Sequence, residues 1–435
     1  MMYSRPLPTN PTATAWRGRR WPIRTLARLG ILGLLIAGAC RGDAGDTDGA
    51  SAAGWEAVVD TVGDTVTVRT RSGSAWGDTA SLLLEISIGT MEGADEYVIG
   101  DPAALAVGPD GVVYVLDVQV PVLRAYAPDG SHLRDVGRSG EGPGEYASPD
   151  GVAVLPDGRV LVRDPPNARI TVFGPDGAHL GEWPLSGGFN TDRRFYVDTA
   201  GRAYVTTLLE RGMAPWEWEF GLVRYSTDGE IEDTLAAPTW DYEPPRVTAS
   251  RGTSSSARRV PFTPDAVWSF SPLGYFVAGL STDYRIDLYR RAAPVLRVER
   301  SAEPVPVNAA EAEERVRRIT EGLRRQYGSW RWNGPDVPGV KPPFRELFVS
   351  AEGNLWVVVS REGVPRMTAA EAREEEARSG RIPLRFAEPP AFDVFAPDGT
   401  YLGHVTASGE LRLQPEPVVI GDRLWAVTRD ELDVA

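Results

Sequence analysis

Two sets of residues in this sequence have types and spacing suited to chemistry. The first is aromatic and cationic: Trp216, Trp218, Trp240, Tyr242, Trp330 and Trp332, with Arg246, Arg251, Arg258 and Arg259 near them in the chain. Indole rings stack on sugar rings and anchor interfaces, and a guanidinium grips a carboxylate through paired hydrogen bonds. Together they predict a surface that binds an anionic glycan, a peptide or a protein partner. The competing reading is that these rings pack their own segments onto the fold. The second set is Asp117 and Asp164, each closing a short apolar run. Carboxylates placed there are candidate calcium ligands. The competing reading is an aspartate that accepts hydrogen bonds from nearby backbone. No other cofactor is indicated.

Other chemistries lack their parts. Gly137 to Gly144 is glycine-rich but has no phosphate-loop lysine and opens no helix. No Gly-x-Ser-x-Gly nucleophile elbow occurs. Lys341 is the single lysine, which leaves no lysine cluster for phosphate or Schiff-base work. The remaining candidates for a base or a metal are the three histidines, His132, His179 and His404.

The elements that must position these residues come from a repeat. At an offset of 47, Pro102 falls on Pro149, Asp110-Gly111 on Asp157-Gly158, Asp117 on Asp164, Asp129-Gly130 on Asp176-Gly177 and His132 on His179. Each unit reads as strand, tight turn, strand, loop, strand, tight turn, strand, with Asp-Gly at the tight turns. Four antiparallel strands in 40 to 50 residues make one blade of a propeller. Weaker copies begin at Phe195, Trp268 and Leu347. An aromatic recurs in the third strand (Tyr126, Phe173, Tyr225, Tyr289, Phe395) and is expected to pack between blades. Val418 to Ile420 and Leu424 to Val427 supply half of a sixth blade. Val66 to Arg69 and Leu83 to Ile88 are expected to supply its third and fourth strands. The fold predicted is all-β: a six-bladed β-propeller closed by pairing amino- and carboxy-terminal strands in one blade, with helical insertions on one face. Closure removes open sheet edges.

The repeat also sorts the loops. In a four-stranded meander the tight turns share one face; the second-to-third and blade-to-blade loops share the other. The long insertions (208–219, 236–261, 303–343 and 360–390) all fall in the second set, with the aromatic group inside them. Asn308 with Glu311, and Thr368 with Glu371, mark two helix starts there as capping boxes. The histidines fall on outer strands, at the rim. They are too far from the axis to share a metal there.

The amino terminus has a separate logic. Six arginines and no acid precede the apolar run Leu29 to Ala39, which ends at the single cysteine, Cys40. Eleven helical residues rise about 16 Å, too short to span a bilayer core of about 30 Å. This is the pattern of a secretory signal peptide over residues 1–40. Ala37-Gly38-Ala39-Cys40 reads as a lipoprotein signal with Cys40 lipidated; Ala37-Gly38-Ala39 also reads as a cleavage site that releases a soluble periplasmic or secreted protein. Residues 41–54 read as a flexible tether and 55–435 as the propeller. The net charge of −14 becomes −20 without the leader's six arginines. So strong an acidic balance argues against nucleic acid and leaves the acyl chain as the membrane contact.

Asp157-Gly158-Arg-Val-Leu-Val-Arg-Asp164-Pro-Pro-Asn167-Ala-Arg169-Ile170 and Gly140-Glu-Gly-Pro-Gly144-Glu-Tyr146 resemble NHL-type repeats. The chain is similar to bacterial six-bladed β-propeller lipoproteins of that broad class. The resemblance implies fold and export and assigns no reaction. The function expected is a non-enzymatic, lipid-anchored, extracytoplasmic propeller that binds a ligand or partner on its loop-rich face. The alternative is a calcium-dependent hydrolase or lyase, lactonase-like, using axial carboxylates.

Overall fold

The computed structural model describes residues 12–17, 48–52, 54–77, 79–187, 191, 193–212, 217–407 and 410–429, the first two stretches by backbone alone. Cys40 and Trp216 lie outside these residues, as do 18–47, which hold most of the expected leader and tether.

Four-stranded antiparallel meanders ring an axis as six blades, each with its first strand innermost. Blade one is Pro102–Val107, Val113–Asp117, Val122–Tyr126 and His132–Val136. Blade two, at the 47-residue offset, is Gly151–Val154, Val160–Asp164, Arg169–Phe173 and His179–Pro184. Blade three starts at Phe195–Val197, blade four at Ala266–Ser271 and blade five at Phe344–Val349. The second strands of blades one, two and five are buried at every residue, because neighbouring blades cover both of their faces.

The Asp-Gly turns form for a local reason. Asp110 and Asp157 accept backbone N–H bonds from Val112 (3.1 Å) and Arg159 (3.0 Å). The glycines that follow, Gly111 and Gly158, have φ of 81° and 86°, where a side chain is strained. The recurring third-strand aromatic packs against the preceding blade, as expected: Tyr126 clusters with Ile88 and Trp425, Phe173 with Val136, and Tyr225 stacks on Trp183.

Blade six closes the ring, with one departure from the expected strands. Val418–Ile420 and Arg423–Arg429 are followed across the sheet by Thr12–Arg17 and then by Ala80–Ile88. The expected fourth strand is thus in place. The expected third, Val66 to Arg69, is not. It belongs to Thr65–Ser72, which pairs in parallel with Ala293–Arg300 on the outer edge of blade four. The reason is edge protection: Val68 and Val298 bury each other and Arg69 ion-pairs with Glu299 (2.7 Å), which covers an otherwise open strand. Trp55–Val62 and Asp48–Ala52 continue the same sheet outward.

Among the described residues two α-helices lie in the insertions. α1 (Ala309–Tyr327) follows blade four, and α2 (Ala369–Ser379) interrupts blade five between its second and third strands. α2 starts with the full reciprocal capping box of Thr368 and Glu371. α1 does not. Asn308 caps Ala310 and Glu311 (2.9 and 3.4 Å), but the Glu311 side chain turns inward to Lys341 (2.9 Å).

Candidate functional site in the axial cavity

The six first strands surround a cavity of about 1250 Å³ that runs along the axis. Strand direction divides it chemically. First strands enter from the loop-rich face, where Asp101, Arg193, Arg194, Arg345, Glu346 and Glu416 stand at or just before their starts. They leave toward the tight turns, where Val107, Val154, Val197 and Ile420 line the wall. Arg315 of α1 and Arg366, Glu388 and Arg412 of the insertions and connections complete the mouth. Among the described residues six arginines and four carboxylates therefore line this end, in a protein whose overall charge is −14.

Several of these groups are held firmly. Arg194 donates to the Trp268 carbonyl (2.6 Å), and its guanidinium lies 4.4 Å over the Trp268 ring. The connection carrying Arg193 and Arg194 is held from beneath by Arg163, which is fully buried. Arg163 pairs with Asp150 (3.0 Å) and donates to Thr191 (3.1 Å). Gly151 allows the approach, since a Cβ there would sit 3.1 Å from the Arg193 carbonyl oxygen.

Glu388 accepts from Lys341 (3.0 Å) and from the Arg361 N–H (2.9 Å), with Arg345 at 3.6 Å. Glu346 differs. It has no hydrogen bond or ion pair among the described residues. Burial pushes its carboxyl above the ordinary range, against the opposing pull of Arg345 and Arg194. Asp150 is raised by burial too, opposed by Arg163 and Arg193.

The residues singled out from sequence lie elsewhere. Asp117 is buried and accepts from Gly100 N (2.8 Å), Asp101 N (3.0 Å) and Gln119 N (3.0 Å), with Arg124 at 3.6 Å. Asp164 repeats this at the same offset, accepting from Ala147 N (2.9 Å), Ser148 N (3.0 Å) and Asn167 (2.7 Å). Blade four makes the equivalent tie with Ser281, which accepts from Asp265 N (2.8 Å). These side chains clasp the entry of each first strand to the end of the second, and neither aspartate lines the cavity. Among the described residues no group of three or more His, Cys, Asp or Glu is arranged to hold a metal ion.

The aromatic set is divided. Trp330 and Trp332 sit 6.5 Å apart, edge to face, on the hairpin Arg246–Arg251 and Ser254–Arg259. Trp330 donates to the Thr248 carbonyl (2.8 Å) and Trp332 to that of Pro335 (3.0 Å). Trp218 lies under the Arg211 guanidinium, 5.0 Å away, at the start of a blade-three strand. Trp240 and Tyr242 are half-buried and joined through their backbones (2.8 Å). Arg246 pairs with Glu243 (3.0 Å), and Arg251 is exposed at the hairpin turn. None of these lines the axial cavity. The histidines stay on outer strands: His132 and His179 beside Asp135 (3.1 Å) and Glu182 (3.8 Å), and His404 on Asp393 (2.9 Å).

No family model matches the chain, and no curated protein matches its sequence. Solved structures that it resembles are β-propeller proteins. One is a Bacteroides fragilis protein whose name calls it exported, with 11% identity over 74% of this chain and 75% of that one, TM-score 0.36. Another is a gluconolactonase of Xanthomonas campestris, with 13% identity over 76% and 86%, TM-score 0.33. A third is virginiamycin B lyase of Staphylococcus aureus, with 10% identity over 76% and 95%, TM-score 0.32. The likeness is one of fold alone.

Proposed function

We propose that this protein is an exported, membrane-anchored propeller that binds an anionic ligand in its axial cavity, without catalysis. The observation that carries this is the arginine-rich mouth within an acidic molecule. A chain of net charge −14 that gathers six arginines around one cavity has set a local field against its own average. In a half-desolvated site that field favours anions. The arginines come from separate blades and insertions, so a ligand that meets several of them is gripped from more than one side. Fixed guanidinium forks suit carboxylate and phosphate groups. The leader pattern and Cys40 support export and a lipid anchor; processing there would remove Thr12–Arg17 and leave blade six without its third strand. No helix among the described residues is long and apolar enough to cross a membrane.

The test is calorimetric titration of the full chain with D-galacturonate, inorganic phosphate and uncharged galactose. The two anions are expected to bind, galactose not, and Arg345→Ala to weaken both anions about tenfold or more, the cost of a lost charge-assisted hydrogen bond. Lack of anion binding, or calcium-dependent hydrolysis of lactone or ester substrates, would replace this reading with another. For the anchor, Cys40→Ser is expected to remove an acyl modification seen by mass spectrometry; unchanged membrane retention in that variant would refute it.

A further inference from the structure

The axial cavity has a neighbour. A second cavity of about 690 Å³ lies between α1, the foot of the 246–259 hairpin and the segment 341–345. The two share Arg315, Arg345, Leu384 and Glu388, so one wall separates them and two of its four side chains are arginines. The second cavity adds Arg258, Arg259, Arg318 and Lys341 to those two, against Asp265 and Glu388.

Glu346 apart, the carboxylates near the shared wall are already committed. Glu388 serves Lys341, the Arg361 N–H and Arg345. Glu311 is buried on Lys341 (2.9 Å), Glu314 accepts from Arg385 N (2.7 Å), and Asp265 is paired with Arg259. What is left over is cationic. Arg315 and Arg318, one turn apart on α1, have no hydrogen bond or ion pair among the described residues. Arg315 is half-buried; burial is the largest influence against its charge and Arg318 adds to it, while Glu311, Glu314 and Glu388 offset them in part. Half-buried Arg315 and exposed Arg318 repel each other across one turn of α1, and an anion between them relieves that repulsion.

Resting on the anion-binding reading above, we propose that the two cavities are consecutive stations of one site for an acidic oligosaccharide, with carboxylates on successive sugars reaching the axial arginines and Arg318 across the Arg315 wall. Three features favour a sugar chain over an acidic peptide. The stations adjoin at a shared wall, with cationic side chains in each. Their linings include a hydroxyl and an amide for sugar hydroxyls, in Ser360 and Gln414. Each lining includes one aromatic ring, Phe262 under Lys341 and Phe386 under Arg385, which adds apolar surface for sugar C–H groups. A ligand that spans both stations makes its second contact intramolecularly, so affinity rises steeply with chain length.

The experiment titrates the full chain with galacturonate and with its linear dimer and trimer. The trimer is expected to bind ~10-fold or more tightly than the monomer. Arg318→Ala, on the exposed side of a helix, is expected to bring the trimer down to about the monomer's affinity; Arg318→Lys retains part of the gain. Arg193→Ala, in the axial cavity alone, weakens monomer and trimer alike. Monomer binding with no gain for the trimer, or a gain insensitive to Arg318→Ala, overturns the two-station proposal and leaves the axial reading standing. No binding of monomer, trimer or phosphate overturns both. If tri-glutamate shows the same Arg318-dependent gain, the sugar assignment is wrong.

Discussion

Asp117 is buried and Glu346 half-buried, both near the loop-rich face, and they have opposite uses. Asp117 gives its oxygens to three backbone N–H groups and sits beside Arg124. Glu346 lines a cavity and accepts nothing from the described residues. Both have arginines nearby, so the sign of the local charge does not separate them. What separates them is whether the lone pairs are spent. A carboxylate with filled acceptor sites is a fastener; one with empty sites beside a cavity is available to a ligand or a proton. The same division holds among the arginines, where Arg163 is locked on Asp150 and Arg315 is not.

The largest test of this contrast is Asp117→Ala. It leaves three backbone N–H groups near the cavity mouth without their acceptor and removes the charge beside buried Arg124. The expected loss is about 3–5 kcal/mol of unfolding free energy, the range for breaking a buried charged network. Urea unfolding at neutral pH measures it. Asp164→Ala is expected to cost somewhat less, because its clasp holds two backbone N–H groups and the Asn167 side chain and has no arginine partner among the described residues. A loss below about 1 kcal/mol for either would mean that the clasp is ornamental and the contrast with Glu346 has no basis.

A middling effect is expected of Trp330→Ala. The ring packs the hairpin to α1 and supplies one hydrogen bond to Thr248. Removing it is expected to cost about 2 kcal/mol, less than the 3–5 typical of a fully buried aromatic because Trp330 is only half-buried. Phosphate affinity in the axial cavity is expected to stay within twofold. Loss of anion binding with little loss of stability would return the aromatic cluster to the place of ligand site.

These contrasts explain what the sequence could and could not disclose. The blades were legible because each rests on local signals: Asp-Gly turns that force positive φ, alternation in the strands, and a constant offset. The clasp at Asp117 and Asp164 was legible as a repeat, and its two competing uses were not, because the deciding N–H groups come from 16 and 17 residues upstream. Val66 to Arg69 looks like any blade strand; its partner Ala293–Arg300 is chosen by an open edge more than 220 residues away. The axial arginines carry no motif, since they come from separate blades and insertions. One signal for some of them was present all the same. Residues at the start of an innermost strand stand at the loop-rich mouth, and Arg193-Arg194 and Arg345-Glu346 occupy that register in blades three and five. The Asn308 pattern misled for a similar reason: Lys341 outcompetes the helix terminus for Glu311.

The smallest expected effect on stability, and the sharpest on function, is Glu346→Gln. Burial raises this carboxyl's pKa in the folded protein, so its contribution to stability is present below the ordinary glutamate range and is lost as pH rises through the raised value. Glutamine cannot ionise, so the variant is expected to equal or exceed the wild type at neutral pH, by no more than about 1 kcal/mol. The same proton governs the cavity. Once ionised, Glu346 offsets Arg345 and Arg194, and an anion gains less from them. Affinity for sulfate, whose own charge is constant across this range, is therefore expected to fall in the wild type as pH climbs from the ordinary glutamate range toward neutrality. In Glu346→Gln most of that slope disappears, and what remains belongs to Asp150, whose raised carboxyl faces Arg163 and Arg193. If the slope survives unchanged, Glu346 is a spent carboxyl like Asp117, and empty acceptor sites are no guide to the working residues of this cavity.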